Sequence, residues 1–149
     1  MQNDTELDGR LYQWGISLIE VDGVPALSHL FVNRGENSLW LPVENPPAFR
    51  LDHEKRQIVM SYGYFEEIYG SHRESYMLPP MKEVGPRERY SWMTSNEKIV
   101  KAVTENQFEP IVRSRASLKS LPFSRVRGKQ PLDEYVAEST IVKSDKLKR

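Results

Sequence analysis

Three histidines and the adjacent carboxylates Glu66-Glu67 and Asp133-Glu134 are the side chains of this 149-residue sequence whose types could carry proton transfer or metal binding. His53 lies in Asp52-His53-Glu54, a run with the donor types of a metal site or an acid–base pair. Adjacent side chains on a strand point to opposite faces, and in a turn all three are simply solvated, so the spacing favours a solvated turn. His29, between Leu27 and Phe31, reads as a strand residue that is either hydrogen-bonded in the core or on the surface. His72, beside Ser71 and Arg73, reads as part of a loop. Glycosidase chemistry needs two carboxyls facing one another across a cleft, which neighbours in sequence do not guarantee. No G-x-S-x-G elbow, S-x-x-K pair or phosphate loop is present, and glycine is scattered singly. Cysteine is absent, which excludes disulfides, thiolate chemistry and Cys-based metal sites. The expectation is a protein without catalytic residues, cofactor or metal.

The sharpest positive signal is charge. Net charge is zero, yet residues 1–54 hold nine acids against three bases, and residues 111–149 hold ten bases against four acids. Between Ile111 and Leu132 stand Arg113, Arg115, Lys119, Arg125, Arg127 and Lys129 with no acid among them. Arg113 and Arg115 share one strand face, and Arg125 and Arg127 share another local face. One reading is a patch for an anionic partner. The other is the wet face of a strand, charged against edge-to-edge aggregation. Nucleic acid is disfavoured, because overall charge is balanced and no RNA-binding aromatic motif is present.

A second signal is aromatic. Tyr62, Tyr64, Phe65, Tyr69 and Tyr76 crowd into fifteen residues that also hold Gly63, Gly70 and Ser71. Loops of this composition either supply rigid amphipathic contacts to a partner or plug one end of a domain. Trp14, Trp40 and Trp92 read as core or half-buried strand residues.

These observations support two functions. The first is a non-enzymatic protein-binding module of immunity, inhibitor or adaptor type. Tyr64, Phe65 and Tyr69 anchor its contact, and Arg113, Arg115, Arg125 and Arg127 steer it towards an acidic protein; a homo-oligomer is also compatible with the sequence. On that reading Arg113→Glu with Arg115→Glu weakens association at unchanged melting temperature. The alternative is a small-ligand-binding or hydrolytic protein whose pocket joins His53, Glu66, Glu67 and His72 across space. The first requires exposed aromatics, and the second requires polar residues within hydrogen-bond reach.

The elements that must position these residues are short. Apolar runs are cut every 8–15 residues by Gly, Pro, Asn or Asp, which argues for an all-β fold, an antiparallel β-sandwich with at most one or two short helices. Tyr12, Trp14, Ile16 and Leu18 alternate, then Asp22-Gly23 turns the chain into a second strand from Val24 to Asn33. A second hairpin joins Phe49–Asp52 to Gln57–Tyr62. Tyr76-Met77-Leu78 reads as a strand stopped by Pro79-Pro80, and Glu83-Val84-Gly85-Pro86 as a turn into an aromatic strand over 87–93. Asn96 to Val103 fits a strand or a helical turn. Pro110 to Leu118 reads as a strand, residues 131–138 as a short helix with Pro131 at its start, and Thr140-Ile141-Val142 as a last strand. A strand running into Asn33-Arg34-Gly35 before Leu39-Trp40-Leu41, and Gly85-Pro86 before an aromatic strand, resemble the element order of immunoglobulin-like sandwiches over residues 11–118. The cysteine pair of antibody domains is missing, and fold outline carries no function. Residues 1–10 read as a disordered lead-in, 11–142 as one domain, and 143–149 as a basic tail. The N-terminus lacks the regions of a signal peptide and no apolar run could span a bilayer, so the expectation is a cytoplasmic protein.

Overall fold

Asp22 and Gly23 take φ of 52° and 79°, the left-handed pair that a two-residue hairpin turn requires. They join β1 (Tyr12–Val21) to β2 (Val24–Asn33) in unbroken antiparallel register from Tyr12↔Asn33 to Val21↔Val24. The computed structural model describes residues 6–70, 78–120 and 132–148. Its remaining strands are β3 (Leu39–Pro42), β4 (Ala48–Asp52), β5 (Gln57–Tyr62), β6 (Met81–Val84), β7 (Arg89–Thr94), β8 (Glu109–Ser117) and β9 (Ser139–Lys143). Three short helices are described, α1 (Glu66–Tyr69), α2 (Glu97–Thr104) and α3 (Leu132–Glu138), one more than the sequence reading allowed.

The strands form two sheets and no closed barrel. One has the order β1-β2-β7; the other has the order β4-β5-β8-β3-β6, with β9 paired to β8. The expectation of a purely antiparallel arrangement fails at one strand pair and at the isolated bridges Glu6↔Ile141 and Ser17↔Lys148, which are parallel. β5 and β8 run parallel, from Gln57↔Glu109 to Tyr62↔Ser114. Parallel neighbours need a long connection, and here it contains α1, β6, β7 and α2.

Both hairpins form as expected, the second between β4 and β5 with Asp52 Oδ1 accepting from the Lys55 amide at 3.0 Å. The ambiguous 96–103 run becomes α2. The side chain of Asn96 accepts from the amides of Lys98 and Ile99, satisfying donors that a helix start leaves open. Ile99, Val100, Ala102 and Val103 then turn inward together. Met81–Val84, part of which read as turn, is strand β6 paired with β3; Leu78 lies in no strand, and Tyr76 and Met77 lie outside the described residues.

Side chains from both sheets and from α2 share one buried cluster, and a smaller cluster forms around Tyr64, Leu132, Tyr135 and Val136. Trp14, Ile16, Leu27 and Phe31 from the first sheet meet Leu39, Leu41, Ile58, Met60, Tyr62, Val112, Ala116 and Val142 from the second. Each such side chain contributes roughly 1.5–3 kcal/mol when fully buried. The chain ends join this framework. Leu7 donates its amide to the Ile141 carbonyl at 2.9 Å and packs on the core, and Glu6 bridges to Ile141. Lys143 closes β9, and the following residues stitch β1: the Asp145 amide donates to Trp14 O at 2.8 Å and the Lys148 amide to Ile16 O at 3.0 Å. No helix of the described residues is long and apolar enough to cross a membrane.

Candidate functional site

Where β5 ends, Gly63 turns the chain with φ of 99°. A Cβ there would lie 2.6 Å from the Tyr135 hydroxyl and 3.0 Å from Arg115 Cβ, so neither backbone nor space admits a side chain. The Gly63 amide donates to the Glu44 carboxylate. This turn drives Tyr64 and Phe65 inward, each 1% exposed. Period-two alternation along β8 delivers Arg113 and Arg115 to the same place. The Arg113 guanidinium lies 4.0 Å from the centre of the Phe65 ring and that of Arg115 lies 4.7 Å from it, both within cation–π range.

Hydrogen bonds lock the two arginines. Arg113 Nε donates to Ser61 Oγ at 2.9 Å, and its Nη1 pairs with the Glu67 carboxylate. Arg115, 3% exposed, donates from Nε to the Tyr64 carbonyl at 2.7 Å and from Nη1 to Ser139 Oγ at 3.3 Å. The Tyr135 hydroxyl donates to the Arg115 carbonyl. Burial pushes the Tyr135 phenol up, and the Glu44 charge adds to that against the opposing pull of Arg115. Tyr64 stacks on Tyr69 at 5.6 Å and donates its hydroxyl to Gly70 O at 2.8 Å. Tyr69, half-buried, is pushed up by burial first and by Glu44 second.

The fold therefore brings Tyr64, Phe65, Tyr69, Arg113 and Arg115 together, but as an interlocked cluster. The exposed aromatic anchor is overturned at Tyr64 and Phe65. Arg115 is buried, and the Arg113 side chain keeps 19% of its surface exposed. The physical reason is mutual: a guanidinium stacked on an aromatic face and donating to a carbonyl loses little on leaving water. Arg125, Arg127 and His72 lie outside the described residues.

His53 is not brought together with Glu66 or Glu67. His53 occupies the β4–β5 turn, edge-on to Phe108 at 5.4 Å, in an open depression of about 530 Å³ that Leu51, Arg56 and Gln107 also line. Glu66 and Glu67 begin α1 beyond the opposite end of β5. Six extended residues separate the two ends by about 20 Å, far outside hydrogen-bond reach. Among the described residues no three His, Asp or Glu side chains gather as a metal site.

His29 is the residue whose partners the sequence did not give. It is fully buried, and its ring stacks on Trp92 at 4.9 Å with 11° between planes. Trp14 Nε1 donates to His29 Nδ1 at 3.2 Å. Nδ1 therefore carries no proton, and the other nitrogen, Nε2, donates to Thr94 Oγ1 at 2.9 Å. Burial lowers the His29 pKa to about 4. A neutral imidazole enclosed by tryptophans has no route to a reacting group, so this is a structural network.

The opposite face of the same sheet is solvent-facing. The alternation that turns His29, Phe31 and Trp92 inward turns Gly15, Ser17, Ser28, Leu30, Ser91 and Met93 outward, in rows fixed by Gly15↔Leu30↔Ser91 and Ser17↔Ser28↔Met93. Leu30 is 37% and Met93 47% exposed. Arg89 is the one charged side chain that the alternation places there. Comparison with protein-family models, curated proteins and solved structures finds no match to this chain.

Proposed function

We propose that the chain is a non-enzymatic protein-binding module of immunity, inhibitor or adaptor type, and that it makes contact through the outer face of the β1-β2-β7 sheet. The observation that carries this reading is the composition of that face: Gly15, Ser28 and Ser91 surround exposed Leu30 and Met93, and the charge described there, Arg89 and the Arg34 guanidinium that donates to Gln13, stands at one margin. Exposed apolar groups on a surface whose charge lies at one margin favour a protein partner over nucleic acid or a small polar ligand. The separation of His53 from Glu66 and Glu67 and the structural engagement of Arg113 and Arg115 support the same conclusion. The partner contact moves from the aromatic loop to this sheet, and its chemistry from acidic to apolar. A two-sheet sandwich of immunoglobulin-like outline is the scaffold of the proposal; the shared core supports the sandwich, while the parallel β5–β8 pair departs from the immunoglobulin pattern. A cytoplasmic setting belongs to the same reading.

The test is affinity capture from the native cell with two baits, the wild type and Ser28→Glu/Leu30→Glu, with Arg50→Glu on β4 as control. Surface changes of this kind leave stability within about 1 kcal/mol. A stoichiometric protein held by the wild type and the control and lost by the double variant is the expected result. A partner that the double variant retains, at equal melting temperature, overturns the assignment of the face.

A further inference from the structure

The two edges of the β1-β2-β7 sheet are treated differently. The β1 edge is covered by residues 145–148, whose amides at Asp145 and Lys148 donate into it. Among the described residues the β7 edge has no such cover. Its hydrogen-bond phase follows from one contact: the Asn33 amide donates to the Glu88 carbonyl at 2.9 Å. Asn33 and Glu88 continue the β2–β7 register of Val32↔Arg89, so the hydrogen-bonded pairs of this ladder are every second residue onward, at Tyr90, Trp92 and Thr94. The N–H and C=O groups of Arg89, Ser91 and Met93 point away from β2. Among the described residues none of them has a hydrogen-bond partner.

Exposed edges are usually blunted by charge, proline, bulges or cover. The free edge strands of the other sheet carry Arg50 and Asp52 on β4 and Lys82 and Glu83 on β6. β7 pairs with β2 without a bulge, contains no proline, and has a single charge near its start.

From these observations we infer that β7 pairs antiparallel with β7 of a second copy of this chain, about a two-fold axis at Ser91. This register places Ser91 against Ser91 of the second copy and Arg89 against Met93. Every outward N–H and C=O of Arg89, Ser91 and Met93 then finds its complement on the other strand. A shift by two residues in either direction leaves some of them unmatched. The register also keeps the two Arg89 guanidiniums apart and lays each arginine stem over a methionine. On the inner face it sets half-buried Tyr90 beside Trp92 of the second copy, the aromatic pairing that stabilises antiparallel neighbours. Two three-stranded sheets become one of six strands, and the apolar outer face becomes continuous. The inference stands apart from the identity of any other partner, because purified protein alone tests it.

The absence of cysteine makes single-cysteine probes clean. Across the axis, hydrogen-bonded Cα atoms lie about 5.5 Å apart, within disulfide reach. Ser91→Cys therefore becomes a covalent dimer under mild oxidation. Ser17→Cys on β1 stays monomeric, because five strand spacings, about 24 Å, separate its two copies. Sedimentation of the wild type gives twice the chain mass at high concentration, and Ser91→Lys, which opposes two ammonium groups at the axis, gives the single mass at an unchanged melting temperature. Amide hydrogen exchange reads the phase. Where nine-tenths of chains are paired, exchange at Arg89, Ser91 and Met93 slows about tenfold relative to dilute protein, and at Tyr90, Trp92 and Thr94 it is unchanged. A wild type that stays monomeric, or a dimer whose Arg89, Ser91 and Met93 amides exchange as fast as in dilute protein, overturns the inference.

Discussion

Lowering the pH from 7 to 5 should remove about 2 kcal/mol of stability through His29 alone. The imidazole titrates near 6.5 in an unfolded chain and at about 4 in the fold, because charging it would desolvate a cation in the core. Geometry adds a reason: a proton on Nδ1 would confront the Trp14 N–H that now donates to that atom. The folded pKa is the lower one, so the unfolded state binds the extra proton. Stability is complete above pH 6.5 and falls as the pH drops towards 4. At pH 5 the titration has run through one and a half pH units of that window, and at 1.36 kcal/mol per unit this gives about 2 kcal/mol. Urea denaturation at pH 7 and pH 5, on the wild type and on His29→Gln, measures it. Glutamine can accept from Trp14 and donate to Thr94 without titrating. The carboxylates titrate in both proteins and cancel in the difference, which leaves the histidine contribution. Equal pH dependence in the two proteins would refute the reasoning.

Further perturbations probe the cluster around Phe65. Arg115→Ala strands the Tyr64 carbonyl and Ser139 Oγ in the interior and should destabilise by about 3 kcal/mol in urea titration. Arg113→Ala, at a partly exposed site, should cost about 1 kcal/mol; the reverse order would contradict the assignment of Arg115 as the locked member. The paired reversal Arg113→Glu/Arg115→Glu then lowers the melting temperature instead of leaving it unchanged. Gly63→Ala forces a positive-φ alanine against the Tyr135 hydroxyl and should cost at least about 2 kcal/mol by thermal denaturation. Adding Tyr135→Phe removes the nearest atom, so the double variant should lose less than the sum of the singles, and strict additivity would show that the hydroxyl is not the obstacle.

What the sequence disclosed and what it hid divide along the range of the interactions. Asp22-Gly23 specifies its hairpin locally, since few other pairs accept two positive φ angles. Asn96 followed by inward residues at helical spacing specifies α2 almost as locally once a core exists to receive it. The parallel union of β5 and β8 has no local signature, because it depends on which strand completes the sheet after α1, β6, β7 and α2 have intervened. Everything about the arginines follows from that union. Arg115 Nε and the Tyr64 carbonyl are 51 residues apart, so the sequence could mark both the basic strand and the aromatic loop without saying that each is the other's partner. His29 is an intermediate case. Its inward face follows from alternation with Leu27 and Phe31, whereas Trp14 and Thr94 are supplied by two other strands.

The charge gradient along the chain has the same resolution. An acidic beginning and a basic end suggest a molecule with poles, yet distance along the chain is not distance in space. Glu6 pairs with Lys143 because the first described residue bridges to β9. Glu67 pairs with Arg113, and Lys119 with Glu138. Glu109 accepts the Leu147 amide, and Glu44 the Gly63 amide beside Arg115. Among these residues, opposite charges on the sequence become neighbours in the fold, and several are committed to holding chain segments in place. Exposed pairs of this kind stabilise little individually, but they leave the basic strand without the free field that long-range steering needs. Charge patterning along the sequence marks one surface of the described residues only at its margin, where Arg89 and Arg34 stand. That surface is the serine- and glycine-lined outer face of the small sheet, with one edge closed by the chain's own C-terminal residues and the other open at β7.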